Sequence, residues 1–471
     1  MKRSLQSANY KAELRATLSS HQTPLWLNAN RHGLSSVSGD DGYLRLALAH
    51  ENEQDITHNW HVGYSVDFAL AKGFTSKFVL QQLYATLAYK NVRLTIGSKE
   101  RPAELKHPLL SSGSQTFGTN ARPIPQLRIE TPNYIRLFKN NDWIKFKGHF
   151  SYGFFTDATF QKQYVQNVEG RHTTGALYHA KAGYLRLGNE QRFPLVFEGG
   201  LEMASVFGGT IHYNKSNTQL KMPTGIGTAL KAIYGGGSDP TDGPYDNVGG
   251  NMLGSWIFSL SYQQKDWKVR AYFDHFFEDH SQLFFQYAWK DGLMGLEITP
   301  PKNKVFNALV YEFISTRDQT GAILHNRTST LPYQISGGDN YYNHGLYLGW
   351  QHWGQAIGNP LYYSPLYKNN GSLTFDNRFR GHHVGISGQP TNALSYRLLF
   401  SHTKNWGTHE MAYPEPQHKN SLFAELNYGI SNPTSPLHGW NATLGIGHDG
   451  GNQHGRSFGV CLTISKTGIL F

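Results

Sequence analysis

Residues 457–464 read Ser-Phe-Gly-Val-Cys-Leu-Thr-Ile, a stretch in which large apolar residues alternate with small or polar ones. Every second residue from Phe458 to Ile464 is apolar, and the residues between them are not. Successive side chains of a β-strand point to opposite faces, so this stretch predicts a strand with one apolar face. Soluble sheets and membrane barrels both contain such strands, and the rest of the chain distinguishes them.

The same alternation recurs along the chain, in runs at 60–68, 144–152, 267–274, 394–401, 421–428 and 440–447. Each run covers roughly ten residues, the length with which a tilted strand crosses a bilayer. Aromatic residues such as Trp60, Trp267 and Trp440 stand at run ends, as interfacial girdles require. Together with an aromatic carboxy-terminus, Phe471, this pattern is typical of bacterial outer-membrane barrels.

The composition agrees with a barrel and excludes a helical membrane protein. Aromatic residues make up 14% of the chain and glycine 50 of its 471 residues, whereas charged residues make up only 16%. No stretch approaches the ~18 apolar residues of a membrane helix, and helical periodicity is scarce. The sequence therefore predicts one all-β domain over residues 1–471, a transmembrane antiparallel up-and-down β-barrel of about eighteen strands.

The predicted strands lie near 11–19, 43–50, 60–70, 78–88, 91–97, 134–139, 143–154, 178–186, 194–204, 255–263, 266–276, 291–298, 304–315, 382–388, 392–402, 420–430, 437–447 and 455–465. Short turn sequences such as Asn140-Asn141-Asp142 alternate with long connections, the pattern of periplasmic turns and extracellular loops. Loops of such length are usually functional, and we expect some to fold into the lumen. The predicted long loops cover 98–133, 155–177, 205–254, 316–381 and 403–419.

The net charge of +10, from 43 Lys and Arg against 33 Asp and Glu, indicates anionic partners or surroundings. Outer-membrane lipids with lipopolysaccharide, and acidic polysaccharides, fit this charge. Nucleic acid does not, since the chain has no basic run or RNA-binding motif. Basic residues at inward parity, such as Lys147, Arg270 and Arg397, either make the lumen attractive to anions or pair with loop carboxylates or face water.

The ends of the chain and its one cysteine complete this picture. Cys461 allows no internal disulfide, and its parity predicts a small packing residue on the inner face of the last strand. Met1-Lys2-Arg3 is basic, but residues 4–11 contain no apolar core, so no signal peptide is visible. We interpret the chain as the mature form of an exported protein of the bacterial outer membrane.

The densest functional candidate is the stretch 339–354, which concentrates aromatic rings, amides and imidazoles. Rings cover the apolar faces of sugars, and planar polar groups bond their hydroxyls. The predicted saccharide-binding residues are Asp339, Tyr341, Tyr342, Asn343, His344, Trp350, Gln351, His352 and Trp353. The alternative is a loop folded inward as a plug, with its rings packed and its polar groups satisfying the backbone. Both hold if the plug wall is also the sugar-binding surface.

A resemblance to a known family rests on the same region. Tyr311-Glu312-Phe313, Asp339 to Gly345 and Trp350 to Gly354 resemble the capsule-assembly Wzi family, in the branch of Bacteroides-type bacteria. The similarity continues in Trp26-Leu27-Asn28-Ala29-Asn30, Asn120-Ala121-Arg122-Pro123-Ile124-Pro125, Ile357-Gly358-Asn359-Pro360-Leu361, residues 382–390, residues 394–399 and Asn405-Trp406-Gly407-Thr408.

The resemblance implies an eighteen-strand outer-membrane barrel that binds capsular polysaccharide and organises the capsule at the cell surface, like a lectin. Enterobacterial members carry a helical segment that helps to occlude the lumen. Here residues 8–20 already have the pattern of a strand, so we expect loops 98–133 and 316–381 to close the lumen. The runner-up is an outer-membrane porin for anionic or sugar solutes, and a third possibility is a partner barrel of other envelope proteins. A monomer suits the unbroken lipid-facing side.

An enzyme is not predicted. His383 and Ser387 share a strand face, but they would lie roughly 13 Å apart along an extended strand. The chain contains no GxSxG elbow and no HExxH motif, and its 23 histidines show no tight metal-ligand spacing. The sequence therefore predicts a non-catalytic protein without cofactor or metal.

Overall fold

The computed structural model describes residues 8–51, 59–233, 250–278, 283, 289–325, 328–333 and 335–470, so Phe471 lies outside the described residues. Eighteen antiparallel strands form one closed barrel, as predicted. The strands are Asn9–Ser19, Asp40–His50, Trp60–Lys72, Phe78–Tyr89, Val92–Ser98, Gln126–Phe138, Asn141–Phe154, Leu177–Leu187, Leu195–Phe207, Gly250–Gln264, Trp267–Glu278, Gly292–Thr299, Ala308–Ser315, Phe379–Gly388, Leu394–Gly407, Ala412–Gly429, Trp440–Gly451 and Ser457–Ile469.

The barrel closes where the sequence predicted, between its first and last strands. Thr17 lies opposite Cys461 in this register, and Leu14 lies opposite Ile464. Leu14 is also opposite Leu44 of the second strand, and these three outward side chains are 57%, 39% and 44% exposed. A continuous belt of exposed apolar side chains around a closed sheet is the lipid-facing surface of a membrane barrel.

The helices and the remaining strands are short and lie in the connections. No helix among the described residues is long and apolar enough to cross a membrane. The helices are Leu25–Asn28, Ala158–Val165, Ile226–Ile233 and the 3-10 turn Pro365–Lys368; the short strands are Arg171–Thr174, Thr210–Tyr213, Thr218–Lys221, Leu324–His325, Ile335–Ser336, Gln351–His352 and Gln355–Ala356.

The predicted loops 403–419 and 98–133 differ most from the structure. Residues 403–419 are not a loop, because strands Leu394–Gly407 and Ala412–Gly429 continue through them. Their outward residues there, such as Lys404 and His418, are polar because this part of the hairpin extends beyond the apolar belt. The other difference is at 126–133, which the prediction assigned to the loop 98–133. The strand Gln126–Phe138 instead accommodates Pro132 in an irregularity between Thr131 and Ile135.

The core of the protein lies inside the barrel, at the end that carries the long loops. Three segments fill the lumen there, and we call residues 20–39, 99–125 and 337–378 the plug. The largest fully buried side chains of the plug include Trp350, Tyr341, Tyr342, Tyr362 and Phe375. At the opposite end, which carries the turns, the lumen holds an open cavity of about 890 Å³ lined by strand residues such as Arg45, Asp67 and Asn427.

Candidate functional site

Buried carboxylates of the barrel wall hold the plug segment 99–125 in place. Glu312 accepts hydrogen bonds from the Ser111 hydroxyl at 2.6 Å, from the Ser112 backbone N–H at 2.7 Å and from the Tyr272 hydroxyl. Two strands away, on Trp267–Glu278, Asp274 accepts from the backbone N–H of Gln115 at 3.1 Å and pairs with Lys106 at 3.1 Å. Because these acceptors are fully desolvated, the segment cannot leave without exposing unpaired carboxylates in the wall.

The plug segment 20–39 is attached in the same way on the other side of the lumen. The helix Leu25–Asn28 begins with the Leu25 N–H donating to Asp449 Oδ2 at 3.0 Å. A carboxylate is favourable at this end because the first N–H groups of a helix have no partner within it. Arg31 pairs at 3.2 Å with Glu425, which also pairs with Arg397 at 2.7 Å. Basic inward residues are thus paired with carboxylates at these positions.

Three of the predicted saccharide-binding residues lie in the centre of the plug. Tyr341, Tyr342 and Trp350 have no exposed surface. The Tyr342 ring stacks on Tyr362 with centroids 3.8 Å apart, and its hydroxyl donates to the Gln115 carbonyl and accepts from the Asn359 N–H at 2.9 Å. The indole of Trp350 donates to the Thr116 carbonyl at 2.9 Å. These rings pack as in the plug interpretation, and their role in saccharide binding stays a prediction.

The polar members of the predicted set mostly bond to the plug backbone. The Asn343 amide donates to the Phe375 carbonyl and accepts from the Phe375 N–H, at 2.9 and 2.8 Å. His344 accepts from the backbone N–H groups of residues 346 and 347. Gln351 donates to the carboxylate of Asp157 at 3.3 Å. Asp339 is half-buried at the edge of the plug.

His352 connects the predicted set to two other loops. Its Nδ1 donates to the Arg122 carbonyl at 2.9 Å, which leaves Nε2 to accept from Thr156. Burial lowers the pKa of this imidazole below its usual range, and the nearby Asp157 only partly opposes that effect. His352 is therefore held neutral, and both of its ring nitrogens are used to join loops rather than to bind a ligand.

Trp353 differs from its neighbours because its ring reaches a cleft. The cleft has a volume of about 430 Å³ and opens at the long-loop end, and we call it the Trp353 cleft. The Arg122 guanidinium lies 4.4 Å from the Trp353 ring centroid on one side, and the Phe160 ring stacks at 5.8 Å. The residues that line the Trp353 cleft are Gln22, Gly33, Ser35, Ser36, Val37, Ser38, Gly73, Phe74, Thr75, Arg122, Phe160, Tyr164, Trp353, Gln355, Leu366 and Asn369.

Three buried polar atoms of the Trp353 cleft have no hydrogen-bond partner among the described residues. They are Ser35 Oγ, Arg122 Nε and the Tyr164 hydroxyl. Burial lowers the pKa of Arg122 to about 10, and burial raises the pKa of Tyr164. Aromatic faces beside such groups form an arrangement that suits a sugar, which offers apolar faces and hydroxyls together.

Sequence reasoning placed only Trp353 of this cleft in a site. Phe160 and Tyr164 belong to the predicted loop 155–177, but nothing in their local sequence shows that helix Ala158–Val165 stacks Phe160 on Trp353 and places Tyr164 beside Phe160. Arg122 was noted only in the resemblance. The position of Arg122 beside Trp353 depends on Gly33, which has a φ of +67° and no side chain. The Arg122 backbone approaches Gly33 so closely that a Cβ at residue 33 would lie 2.5 Å from the Arg122 backbone nitrogen.

The residues considered for hydrolysis do not form a dyad. His383 Nε2 donates to the Leu110 carbonyl at 2.7 Å, and its Nδ1 accepts from Ser401 at 2.8 Å. Both nitrogens are therefore occupied by structural partners, and neither partner is Ser387. In the part of the chain that the structure describes, no group of three His, Cys, Asp or Glu residues could hold a metal ion.

A scan of protein-family models finds no match to the chain, and a search of curated proteins finds none either. Solved structures do resemble it. One is Wzi, an outer-membrane protein involved in group 1 capsule assembly in Escherichia coli, described as a carbohydrate-binding β-barrel. Its TM-score is 0.57 at 13% identity, over 98% of this chain and 85% of that chain.

Two barrels of Pseudomonas aeruginosa are similar as well. OccK5 (OpdH) has a TM-score of 0.52 at 9% identity, over 99% of this chain and 98% of that one. OccK9 (OpdG) has a TM-score of 0.50 at 9% identity, over 98% of each chain. Identities this low show the fold alone. The barrel therefore matches the fold of bacterial outer-membrane proteins.

Proposed function

We propose that this chain is a non-catalytic barrel of the bacterial outer membrane that binds a capsular polysaccharide at its long-loop end and anchors it to the cell surface. The observation that carries the proposal is the Trp353 cleft, which joins aromatic rings to serine, glutamine and arginine side chains at the outward end of a filled lumen. The carbohydrate-binding barrel Wzi, which shares the fold, supports the same reading.

Charge favours an acidic saccharide as the ligand. Arg122 lies beside the Trp353 ring, and its Nη atoms donate to Ser76 and Thr75 hydroxyls at 2.8 and 3.0 Å while Nε has no partner. A guanidinium has five donors in a planar fork that matches a carboxylate. A uronic-acid residue could therefore place its ring on Trp353 or Tyr164 and its carboxylate near Arg122.

The proposal gives two roles to the predicted set of nine residues. Trp353 contacts the saccharide, and His352 and Gln351 hold the loop that presents it. Tyr341, Tyr342, Asn343, His344 and Trp350, with Asp339 at the edge, form the supporting layer beneath. Substituting the supporting residues would weaken binding only through loss of plug structure, whereas substituting Trp353 would weaken binding in a protein whose plug is intact.

The test measures binding of a purified acidic capsular polysaccharide to the detergent-solubilised protein by calorimetry. We expect Trp353→Ala to weaken binding about tenfold or more, because a stacking ring contributes on the order of 1–3 kcal/mol. Trp60→Ala is the matched control, since that ring is 59% exposed on the outer wall at the turn end. Unchanged affinity in Trp353→Ala, with binding present in the parent protein, would exclude the Trp353 cleft as the site.

A second candidate function is a channel, and the open cavity of about 890 Å³ at the turn end is the observation that favours it. The porin reading requires the plug to move, because three loop segments cross the lumen. Conductance in planar bilayers separates the two functions. Stable large openings in the parent protein would favour the porin, and conductance near the bilayer baseline would favour the saccharide binder.

A further inference from the structure

Apart from the Trp353 cleft, the protein has a positively charged surface on the outside of the barrel. It lies on three neighbouring strands at the long-loop end, Phe379–Gly388, Leu394–Gly407 and Ala412–Gly429, and Arg317 adjoins it just beyond the end of strand Ala308–Ser315. Phe379, Gly381 and His383 of the first of these strands face the plug and are buried, so Arg380 and His382 between them face outward. We call the outward residues Arg317, Arg378, Arg380, His382, His402, Lys404, Trp406 and His418 the Arg380 patch.

The strand register arranges the Arg380 patch in rows. Arg380 lies directly opposite Lys404, which lies opposite His418 on its other side. One row closer to the membrane centre, His382 lies opposite His402. Directly opposite residues of one sheet face have Cβ atoms roughly 5 Å apart. Three adjacent strands thus present cationic or imidazole groups as a continuous strip.

The next row toward the membrane centre is apolar. Val384 lies opposite Phe400, which lies opposite Leu422. Phe400 and Leu422 are 38% and 50% exposed on the outer wall, in the lipid-facing belt. The strip of charge therefore lies immediately outside the apolar belt, at the level of the head groups of the leaflet on the long-loop side.

Within the described part of the chain, no cation of the Arg380 patch forms a salt bridge with a carboxylate. Among the described residues, Arg317, Arg378, Arg380 and Lys404 form no salt bridge, and the nearby Asp318 pairs with Lys290 at 3.5 Å. Arg317 and Lys404 instead lie over the Trp406 ring, at 4.5 and 5.5 Å from its centroid. Like charges directly opposite on a sheet are destabilising, so the pair Arg380 and Lys404 favours a bound anion.

The imidazoles of the lower row are oriented by neutral partners. His382 Nδ1 lies 2.9 Å from the Tyr311 hydroxyl, and His402 Nδ1 lies 2.8 Å from Asn420 Oδ1. Each ring is thereby fixed against the wall, between the charged row and the apolar row. These rings close the lower edge of a site whose upper edge is charged.

We propose that the Arg380 patch binds the phosphate of an anionic outer-leaflet glycolipid, with the lipid's acyl chains lying along Val384, Phe400 and Leu422. A phosphate between Arg380 and Lys404 accepts from both side chains and removes their repulsion. A soluble polysaccharide would satisfy the charge but not the adjoining apolar row, which is why a lipid fits better. The inference requires the outer-membrane location proposed above and is independent of saccharide binding.

The experiment uses the full chain in detergent and measures its binding of lipid A carrying two phosphates by native mass spectrometry. We expect the double variant Arg380→Gln and Lys404→Gln to bind the lipid about tenfold more weakly, because two charge-assisted contacts are lost. The matched control is Lys72→Gln with Lys77→Gln, which removes two exposed cations at the same end on another side of the barrel.

Two further arms identify the ligand. Dephosphorylated lipid A should bind the parent protein and the double variant equally weakly. Equal binding of phosphorylated and dephosphorylated lipid to the parent protein would overturn the proposal, as would equal loss in the control variant. If a soluble acidic polysaccharide competes at the Arg380 patch more strongly than the phosphorylated lipid, the patch is a polysaccharide surface and the lipid proposal is wrong.

Discussion

The two ends of the lumen are built on the same eighteen strands but differ in what fills them. Strand Trp267–Glu278 passes through both: its Asp274 is fully buried against the plug, whereas its Arg270 pairs with Glu297 of the next strand nearer the turns. At the long-loop end the inward polar groups bond to loops, and at the turn end they bond to one another around a cavity. The strands thus determine whether each side chain points into the lumen or outward, and the loops determine whether the lumen is filled by protein or by water.

The largest effect in this comparison is expected for Tyr342→Ala. The ring is fully buried between Tyr362, Phe276 and Phe375, and its loss should destabilise the plug by about 3–5 kcal/mol. The measurement is hydrogen exchange of residues 338–362, together with conductance in planar bilayers. Tyr428→Ala, which removes a ring 52% exposed on the outer wall, should change neither. Unaltered protection in Tyr342→Ala would show that the loops are not packed as one body.

A smaller effect is expected for Glu312→Gln. Glu312 is 1% exposed and accepts three hydrogen bonds, so an amide in its place leaves at least one donor facing another donor. We expect about 2–3 kcal/mol less protection of residues 99–125. Glu297→Gln is the control, because Glu297 pairs with Arg270 of the adjacent strand rather than with a plug segment. Equal losses of protection in the two variants would show that the hydrogen bonds of Glu312 do not specifically hold residues 99–125.

Acid provides the smallest of the three tests. Burial beside the rings of Tyr363 and Tyr367, with Lys419 and Lys368 nearby, lowers the pKa of His454 from 6.5 to about 3. The unfolded loop binds a proton below pH 6.5 and the folded loop does not until about pH 3, so stability is complete above pH 6.5 and falls as the pH drops through that window. At pH 5 the loss should be about 2 kcal/mol.

The slope with pH, rather than the absolute stability, identifies His454 as the cause. Its φ of +58° suits asparagine, so His454→Asn keeps the backbone while removing the titration. Hydrogen exchange of residues 361–370 between pH 7 and 5 should lose most of its pH dependence in this variant. A slope that persists unchanged would assign the acid sensitivity to other groups of the plug.

The barrel could be predicted from the sequence because the outward-facing residues of its strands must be apolar wherever they contact lipid. The alternation at 60–68 and at 457–464 is visible for that reason, and all eighteen predicted strands correspond to strands of the barrel. The prediction failed at 403–419, where the hairpin extends past the lipid and its outward residues are free to be polar. The prediction also failed at 126–133, where the strand contains Pro132 in an irregularity that the local sequence does not distinguish from a loop.

The site could be predicted only in part, because a plug and a sugar site use the same residue types. Trp350 and Trp353 lie three residues apart in one loop, yet the first is fully buried and the second reaches a cleft. What separates them is the packing of Phe160 and Arg122 from distant loops, and no local pattern contains that information. The contacts of the inward carboxylates Glu312 and Asp274 with the plug could not be predicted either, since a charged residue that faces the lumen fits a hydrated lumen as well as a filled one.

The cap of helix Leu25–Asn28 has a consequence for the order of folding. Its acceptor, Asp449, is 424 residues away along the chain, on the penultimate strand. The first plug segment can therefore reach its final place only when the carboxy-terminal hairpin has come round to the amino-terminal one. Contacts between such distant parts of a chain form slowly. We therefore expect this helix to form late in folding. Protection of its backbone amides from hydrogen exchange would mark the completion of barrel assembly.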